Sequence, residues 1–407
     1  MVQAIERALQ DVRYAARTLS KSPGFTGVVL AALALGIGAT TAIFTVVNSV
    51  LLEPLPFPNP GRLVALREIR PDNKVNPTVQ TQNFLDWRAR NHSFERIAVL
   101  QQRPVNFVAG SAEAEQVNGL RVSADFFPLL GVQPLLGRWL TPEEDLPGAP
   151  ARVILGFGFW QRRFGGDPGI IGTRLTVFGS PAEVIGVMPS GFELPNVSAE
   201  IFLAVQIDPA FAARDGRNFQ VLGRMREGVR IGAARAEMRS LAIQTAAERP
   251  AFNTRWSATA TPLLDDSVGD VRTSLLVLLG AVFFVLILCC VNVAILYLMR
   301  SYNRARELTV RHALGASRGR LFHQLLAESL LLTLCGGLFG LGFAYAGVRV
   351  LLGLLPASFP LPRLAEIRVD ERVLLVCLGM SVLAGITFGL APAVAADFRN
   401  PANALRH

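Results

Sequence analysis

One short motif in the sequence has the spacing of a catalytic nucleophile. Gly315, Ser317 and Gly319 match the G-x-S-x-G pattern, in which a strained turn exposes a serine for acyl transfer. That chemistry needs a strand before the serine, a helix after it, and a histidine and an acid nearby. Here the motif lies in a short basic stretch between two long apolar runs, so we expect no hydrolase site there.

ATP hydrolysis and metal chemistry lack the residues that they require. Only two of the 40 basic residues are lysines, Lys21 and Lys74, and neither follows the glycine-rich run of a phosphate-binding P-loop. The region between the first two apolar runs holds His92 as its one histidine and no cysteine, which excludes a zinc site built from a His pair. The acidic run 143–145 suits an exposed turn as well as a cation site. We predict no catalytic residue, no cofactor and no metal.

The composition is that of a membrane protein. Of 407 residues, 51% are hydrophobic and 17% are charged, and the mean hydropathy is +0.38. Four charge-free runs can cross about 30 Å of hydrocarbon as helices, namely 22–52, 274–299, 329–348 and 373–396. All four cysteines lie inside these runs, so they indicate small apolar side chains and not a disulfide framework.

Two pairs of glycines inside these runs are spaced for close helix packing. Gly336 and Gly340 in the third run, and Gly385 and Gly389 in the fourth, each form a GxxxG spacing. Glycines at this spacing let two helix backbones approach closely. We predict helix–helix contacts at these residues, with chance occurrence of a common spacing as the alternative.

The distribution of arginines predicts the orientation in the membrane. Residues 300–320 carry six arginines against Glu307 alone, and residues 1–21 carry a net charge of +2. The 220 residues 53–272 carry a net charge of only +1. By the positive-inside rule, both termini and the 300–320 loop face the cytoplasm from the inner (plasma) membrane, and the long middle region is exported.

The residues before the first run have an amphipathic pattern. Apolar residues recur at helical spacing at positions 5, 9, 12, 16 and 19, and basic residues lie on the opposite face. We predict a helix on the membrane surface, with a helix packed on another part of the protein as the alternative. The apolar run that follows is about twice the length usual in a signal peptide, which indicates an uncleaved signal anchor.

The exported region is predicted to be a mixed α+β domain. Prolines alternate at 54, 56, 58 and 60 and end the first membrane helix. Strands are predicted at 62–66, 96–108, 115–122, 153–155, 175–187 and 219–225, and helices at 82–90, 157–164 and 231–248. About 200 residues suffice for a core of its own.

The basic loop between the second and third runs has the pattern of two helices joined by a turn. Gly315 supplies a helix stop and Ser317 a cap for the next helix. The turn leaves Ala313, Leu314 and Ala316 as a small apolar tip between arginines, a shape suited to a partner's groove. The alternative is a positive-inside connector with an incidental turn.

Several strings in the chain resemble a known transporter family. Two strings resemble the cytoplasmic loop of MacB/FtsX-type ABC transporter permeases, namely RARELTVRHALGASR (304–318) and QLLAES (324–329). Five further strings resemble the acidobacterial-type duplicated permease branch of that family. They are DVRYAAR (11–17), NFLDWR (83–88), FWQRRFGGDP (159–168), VIGVMP (184–189) and FGLAPA (388–393). The resemblance spans essentially the whole chain.

The resemblance implies a polytopic α-helical membrane protein with four transmembrane helices and a large α+β periplasmic, MacB-like core domain between the first and second spans. It implies a permease subunit, not an enzyme, that couples ATP hydrolysis by a separate ATPase to periplasmic conformational change for efflux or export. The alternative is an FtsX-like mechanotransmission regulator that activates an envelope enzyme or assembles an envelope complex.

The resemblance also implies partners and a coupling site. The partners are the ATPase subunit, a second permease copy or paired unit forming a dimer, membrane lipid and a periplasmic protein, with no nucleic acid. The implied ATPase-coupling residues are Glu307, Arg311, Ala313, Leu314, Gly315, Ala316 and Arg318.

The predicted organisation runs in chain order from a cytoplasmic amphipathic helix to a cytoplasmic tail. Its segments are the helix 1–21, transmembrane helix 22–52, periplasmic core domain 53–272, transmembrane helix 273–299, cytoplasmic coupling loop 300–325, transmembrane helix 326–348, periplasmic loop 349–372, transmembrane helix 373–396 and tail 397–407. Members of the duplicated branch usually carry a second copy of the whole unit, and MacB itself carries a fused ATPase domain. This sequence presents one unit and no ATPase domain, so a single-unit permease and a half-length fragment both stay open.

Overall fold

The chain divides into two compact units, which are described separately. One comprises Met1–Glu53 with Asp270–His407, and the other is Pro54–Gly269. The computed structural model describes residues 13–108, 115–195, 197–212, 216–269, 271–303, 318–354 and 369–395. In 301–303, 318–322, 351–354 and 391–395 it describes the backbone alone.

Helices and strands are numbered here in chain order. The helices are α1 Pro23–Val47, α2 Thr81–Arg90, α3 Phe126–Leu130, α4 Phe157–Phe164, α5 Pro209–Ala212, α6 Ile231–Glu248, α7 Pro250–Asn253, α8 Leu263–Val268, α9 Val271–Asn303, α10 Arg318–Leu354 and α11 Glu371–Ala395. The strands are β1 Leu63–Ile69, β2 Val75–Asn76, β3 Val79–Gln80, β4 Phe94–Val108, β5 Glu115–Val122, β6 Leu136–Gly137, β7 Arg152–Leu155, β8 Arg174–Val177, β9 Ser180–Val187, β10 Ile201–Ala204, β11 Arg217–Met225 and β12 Ser257–Pro262.

Four helices, α1, α9, α10 and α11, are long and apolar enough to cross a membrane, as the charge-free runs predict. Helix α1 begins at Pro23, whose missing N–H costs nothing in the first turn of a helix. It ends in a π-helical turn, Asn48–Leu52, before the proline-rich exit. Helices α9 and α10 extend past their charge-free runs, because a helix continues while its backbone hydrogen bonds are made, whatever its side-chain charge.

The second unit is built on one large sheet. Its twelve strands include a central path in the order β12-β1-β11-β4-β5-β10-β7-β9-β6. Most neighbours are antiparallel, and the pairs β5–β10 and β7–β9 are parallel. Together with helices such as α6, this sheet confirms the predicted α+β domain between the first and second spans.

Strand β1 shows that the sheet is covered on both faces. Leu63 and Ala65 belong to one apolar cluster, and Val64 and Leu66 belong to another. Successive strand residues point to opposite faces, so a run of four fully buried side chains requires cover on both sides. Helix α6 supplies part of that cover on the second face.

The structure corrects the sequence prediction at one strand and adds five strands. The predicted strand 175–187 is a hairpin of β8 and β9, because Phe178 and Gly179 both have positive φ, of 50° and 78°, and reverse the chain. The sequence predicts neither β10 and β12 nor the two-residue strands β2, β3 and β6. Strand β12 has the sequence SATATP, whose small residues and terminal proline give a weak strand signal, and its pairing with β1 provides the stabilisation instead.

The N-terminal amphipathic segment is described from residue 13 onward, and residues 13–20 are helical. Ala15, Thr18 and Leu19 are buried within the protein, whereas Ala16 is exposed. Leu19 packs in the same apolar cluster as the membrane helices. The predicted apolar positions 5, 9 and 12 lie outside the described residues.

Candidate functional site

A cluster of buried and half-buried residues lies where the apolar runs of α9 and α10 end toward residues 304–317. We call it the loop-flanking cluster, and its members are Thr18, Phe25, Tyr297, Arg300 and Glu328. Nη2 of Arg300 lies 3.5 Å from Oε1 of Glu328, and the two side chains are only 13% and 4% exposed. The cluster therefore holds a buried ion pair between the helices on either side of the loop.

Arg300 also contacts the N-terminal part of the chain. Its Nη2 donates a hydrogen bond of 3.2 Å to the backbone carbonyl of Thr18, and its guanidinium carbon lies 4.4 Å from the centre of the Phe25 ring. The Phe25 ring in turn packs against Tyr297, with 5.9 Å between ring centres. A single guanidinium thus joins the N-terminal helical residues 13–20, α1, α9 and α10.

The position of the pair follows from the charge pattern of the two spans. Arg300 is the first charged residue after the run 274–299, and Glu328 is the last before the run 329–348. At a separation of 3.5 Å and an effective dielectric constant of about 20, their attraction is about 5 kcal/mol. Burying two charges costs several kcal/mol each, so the pair orients the two helices more than it stabilises them.

Sequence reasoning missed this pairing. The sequence pattern identifies Arg300 only as one of six positive-inside arginines and Glu328 only as part of a family string. The available signal was the position of a lone acid directly at the border of an apolar run, where a charge is costly unless it is paired.

Most of the predicted ATPase-coupling residues lie outside the described residues. These are Glu307, Arg311, Ala313, Leu314, Gly315 and Ala316. Arg318 is the first residue of α10, and its backbone alone is described. The motif Gly315–Gly319 falls largely in the same segment.

The first glycine pair faces α1. A Cβ atom built on Gly340 would lie 3.0 Å from the backbone nitrogen of Gly38, and one built on Gly336 would lie 2.7 Å from Cβ of Leu33. A Cβ on Gly38 would in turn lie 2.7 Å from the carbonyl oxygen of Gly340. Helices α1 and α10 are therefore in backbone contact at Gly38 and Gly340, a contact that only the absence of side chains permits.

The second glycine pair faces α10. A Cβ on Gly385 would lie 3.1 Å from Cα of Leu330, and one on Gly389 would lie 3.1 Å from Cα of Leu326. The hydroxyl of Ser329 donates a hydrogen bond of 2.8 Å to the carbonyl oxygen of Gly385, which adds a polar contact to the close approach. Helix α10 thus packs on α1 and α11 through different glycines.

We expect Gly38→Ala to destabilise the membrane unit by about 1–3 kcal/mol, because its methyl group would overlap the Gly340 carbonyl and force the helices apart. The measurement is the unfolding free energy in detergent. Gly27→Ala is the matched control in the same helix, since no atom lies within 4 Å of a Cβ there. Equal stability of the two variants would contradict the close contact.

At its other end, α1 is joined to α11. Nδ2 of Asn48 donates a hydrogen bond of 2.8 Å to Oδ2 of Asp370, and Oδ1 of Asp370 accepts one of 2.9 Å from the backbone N–H of Val373. Asp370 thereby caps the first turn of α11. Because Asn48 begins the π-helical turn, α1 is held by a polar side chain where its geometry departs from the regular α-helix.

The acidic run 143–145 binds neighbouring protein groups. Oε1 of Glu144 accepts hydrogen bonds from Arg138 at 2.7 Å and from Arg152 at 3.0 Å. The hydrogen bond from Arg138 lowers the pKa of Glu144 to about 2, against the opposing effect of burial. Asp145 accepts two backbone N–H groups, and its burial raises its pKa. Among the described residues, no group of three or more His, Cys, Asp or Glu side chains could hold a metal ion.

Two family models match consecutive parts of the chain. The MacB-like periplasmic core domain matches residues 26–241, and the FtsX-like permease C-terminal domain matches residues 279–401. The second match includes the segment 304–317 and both ends of the Arg300–Glu328 pair.

Similar proteins are found among bacterial permeases. The ABC transporter permease YknZ of Bacillus subtilis, described as uncharacterized, is 34% identical over 143 residues, which are 34% of this chain and 34% of YknZ. The pyoverdine export ATP-binding/permease protein PvdT of Pseudomonas syringae is 25% identical over 299 residues, which are 69% of this chain and 41% of PvdT. The chain thus spans less than half the length of these two relatives.

A solved structure also matches the chain. The periplasmic region of MacB from Actinobacillus actinomycetemcomitans aligns with a TM-score of 0.38 and 12% identity, over 51% of this chain and 93% of that structure.

Four helices that are long and apolar enough to cross a membrane, with a large α+β domain inserted after the first, define the fold of a polytopic membrane protein. With the first family model covering more than half of its residues, the chain belongs to the MacB/FtsX-type ABC transporter permeases. The resemblance seen in the sequence is confirmed.

Proposed function

We propose that this chain is the transmembrane subunit of an ABC-type export complex, in which a separate ATPase drives conformational change of the periplasmic domain. Family membership supports the permease role, and PvdT is named as an export protein. In this proposal both termini and the segment 304–317 face the cytoplasm. A second permease copy or a paired unit forms the dimer, and a periplasmic partner protein completes the complex.

The observation that carries the proposal is the loop-flanking cluster. The segment between α9 and α10 is where the sequence predicts docking of the ATPase. Arg300 and Glu328 join the two flanking helices at 3.5 Å. Because Arg300 also contacts Thr18 and Phe25, a displacement of this segment would act on α1 as well as on α9 and α10.

Helices α1 and α9 are the connections to the exported domain. The chain enters Pro54–Gly269 directly after α1 and its π-helical turn, and it leaves this unit directly before α9. Packed helices move as rigid bodies, so a shift at one end of α1 or α9 reaches the end that connects to the domain. The contact between Gly38 and Gly340 would make α1 move with α10.

The proposal is tested with the purified complex. The chain carrying Ser198→Cys, labelled with an environment-sensitive fluorophore, is reconstituted with its ATPase. We expect trapping with ATP and vanadate to change the fluorescence, because the periplasmic domain responds to closure of the ATPase. An ATPase without its P-loop lysine is the control and should give no change. If the ATPase hydrolyses ATP and the fluorescence does not change on trapping, the proposal is contradicted.

A further inference from the structure

A groove of about 370 Å³ opens on one face of the exported domain. We call it the arginine groove, and its defining residues are Arg103, Arg121, Phe178, Leu203 and Gln206. In the pairing of the strands, Arg121 of β5 lies opposite Gln101 of β4 and beside Leu203 of β10. Arg103 is two residues from Gln101 and so shares the face of Arg121 and Leu203.

The guanidinium group of Arg103 is open to a ligand. Arg103 is exposed, and within the described part of the chain it makes no hydrogen bond or ion pair. Arg121 donates a hydrogen bond to the backbone carbonyl of Val205. At the groove's other side, Arg152 is shared by Glu144 and Glu183. A guanidinium offers planar, bidentate hydrogen bonding that matches a carboxylate or a phosphate.

Two of the five non-glycine residues with positive φ in the described part of the chain line this groove. Phe178 and Gln206 have φ values of 50° and 49°, in the left-handed region that suits glycine or asparagine. Among the described residues, the other non-glycine positions of this kind are Asn59, Asn73 and Arg255. Such conformations cluster where function requires a particular side chain.

Phe178 is an unusual residue for its position. It is the first of the two turn residues in the β8–β9 hairpin, a position where asparagine or glycine fits the backbone best. Its ring is 54% exposed, so it is not held there by burial in the core. The turn itself therefore does not explain the phenylalanine, whereas an apolar contact in the groove does.

The groove also has an apolar part. Val177, Phe178, Leu203 and Ala204 line it, and Phe178 is the most exposed of them, because Val177 and Leu203 are only 5% and 7% exposed. Its volume of about 370 Å³ lies in the range of roughly 300–1,000 Å³ found for small-molecule sites. A cationic hydrogen-bond donor beside an apolar surface fits a ligand with an anionic head and an apolar body.

We propose that the arginine groove binds an anionic amphiphile, whose carboxylate or phosphate contacts Arg103 and whose apolar part lies on Phe178 and Leu203. This site is independent of export, because binding requires neither the ATPase nor movement of the helices.

Calorimetric titration of the full chain in phosphatidylcholine nanodiscs tests the proposal, with empty nanodiscs subtracted. The amphiphilic probes are octanoate and dihexanoyl phosphatidic acid. Inorganic phosphate represents the anionic head alone, and octanol represents the apolar tail alone. We expect at least one amphiphile to bind more tightly than either half. A carboxylate preference indicates a free acid as the natural source, and a phosphate preference indicates a lipid headgroup. Failure of both amphiphiles to bind overturns the proposal.

Two arginine variants distinguish binding in the groove from non-specific electrostatic binding of anions to the protein. Arg103→Gln is expected to weaken binding about 10- to 100-fold, through loss of a charge-assisted hydrogen bond. Arg239→Gln removes an exposed arginine from α6, outside the groove, and should leave the affinity unchanged. Equal affinities of wild type and Arg103→Gln, or equal losses in the two variants, overturn the proposal.

Phe178→Gly tests the apolar part of the site without risk to the fold. Glycine relieves the positive φ, so the unfolding temperature should stay the same or rise. The affinity for the amphiphile should nevertheless fall, by roughly tenfold for a lost aromatic contact. An unchanged affinity would overturn the assigned role of Phe178.

Discussion

Leu314→Asp is expected to abolish co-purification of the ATPase while the chain still inserts in the membrane. Burial of one leucine in a partner's groove contributes about 1.5–3 kcal/mol. An unpaired charge placed in that interface costs a further 1–3 kcal/mol or so. Together these changes weaken docking by about 10²- to 10⁴-fold. The measurement is the amount of ATPase retained per permease after purification in mild detergent.

Ser198→Asp is the control for this experiment, because it adds the same charge on the exported domain and should leave docking unchanged. Insertion should be normal in both variants, since Leu314 lies outside the apolar runs. If the Leu314→Asp protein holds its ATPase at wild-type affinity, the loop is an ordinary positive-inside connector. The docking site would then have to be sought in the N-terminal amphipathic segment.

Glu328→Gln is expected to lower the unfolding free energy of the membrane unit by about 3–5 kcal/mol. The side chain keeps its shape, but Arg300 loses the carboxylate that lies 3.5 Å from its guanidinium in a buried setting. Glu371→Gln is the matched control, because Glu371 is an exposed acid at the start of α11. The comparison is made by unfolding each variant in detergent and monitoring the loss of helix by far-UV circular dichroism.

A double-mutant cycle separates the ion pair from the rest of the cluster. Replacing both partners, by Arg300→Met with Glu328→Leu, should cost less than the sum of the two single changes, because no charge is left buried. We expect a coupling energy of about 1–3 kcal/mol. Strictly additive losses would mean that the two charges do not stabilise each other. The same variants, reconstituted with the ATPase, would show whether losing the pair uncouples hydrolysis from the periplasmic domain.

The membrane helices and several domain elements were predictable because their signals are local. A charge-free run of about 20 residues partitions into lipid through the sum of its own transfer free energies, whatever lies elsewhere in the chain. Helix 231–248 was likewise predictable, because its apolar residues recur at helical spacing within one segment, and the structure has it at Ile231–Glu248.

The hairpin at Phe178 shows where local signals fail. The composition of residues 175–187 predicts one strand, and no asparagine in this segment indicates a two-residue turn. The chain reverses there because β8 pairs with both β4 and β9, and these pairings outweigh the unfavourable φ of Phe178. Strand β12 was missed for a related reason, since its stability comes from pairing with β1.

By itself, then, the sequence determined the spans, the inserted α+β domain and the family, all of which depend on contiguous composition or on strings of residues. Only the tertiary structure decided that Gly340 meets Gly38, and that Arg300 meets Glu328. It alone brought Arg103, Phe178 and Leu203 together from β4, the β8–β9 turn and β10. Each of these contacts joins segments far apart in the chain, and which residues meet depends on how whole helices and strands pack, which no single segment of the sequence specifies.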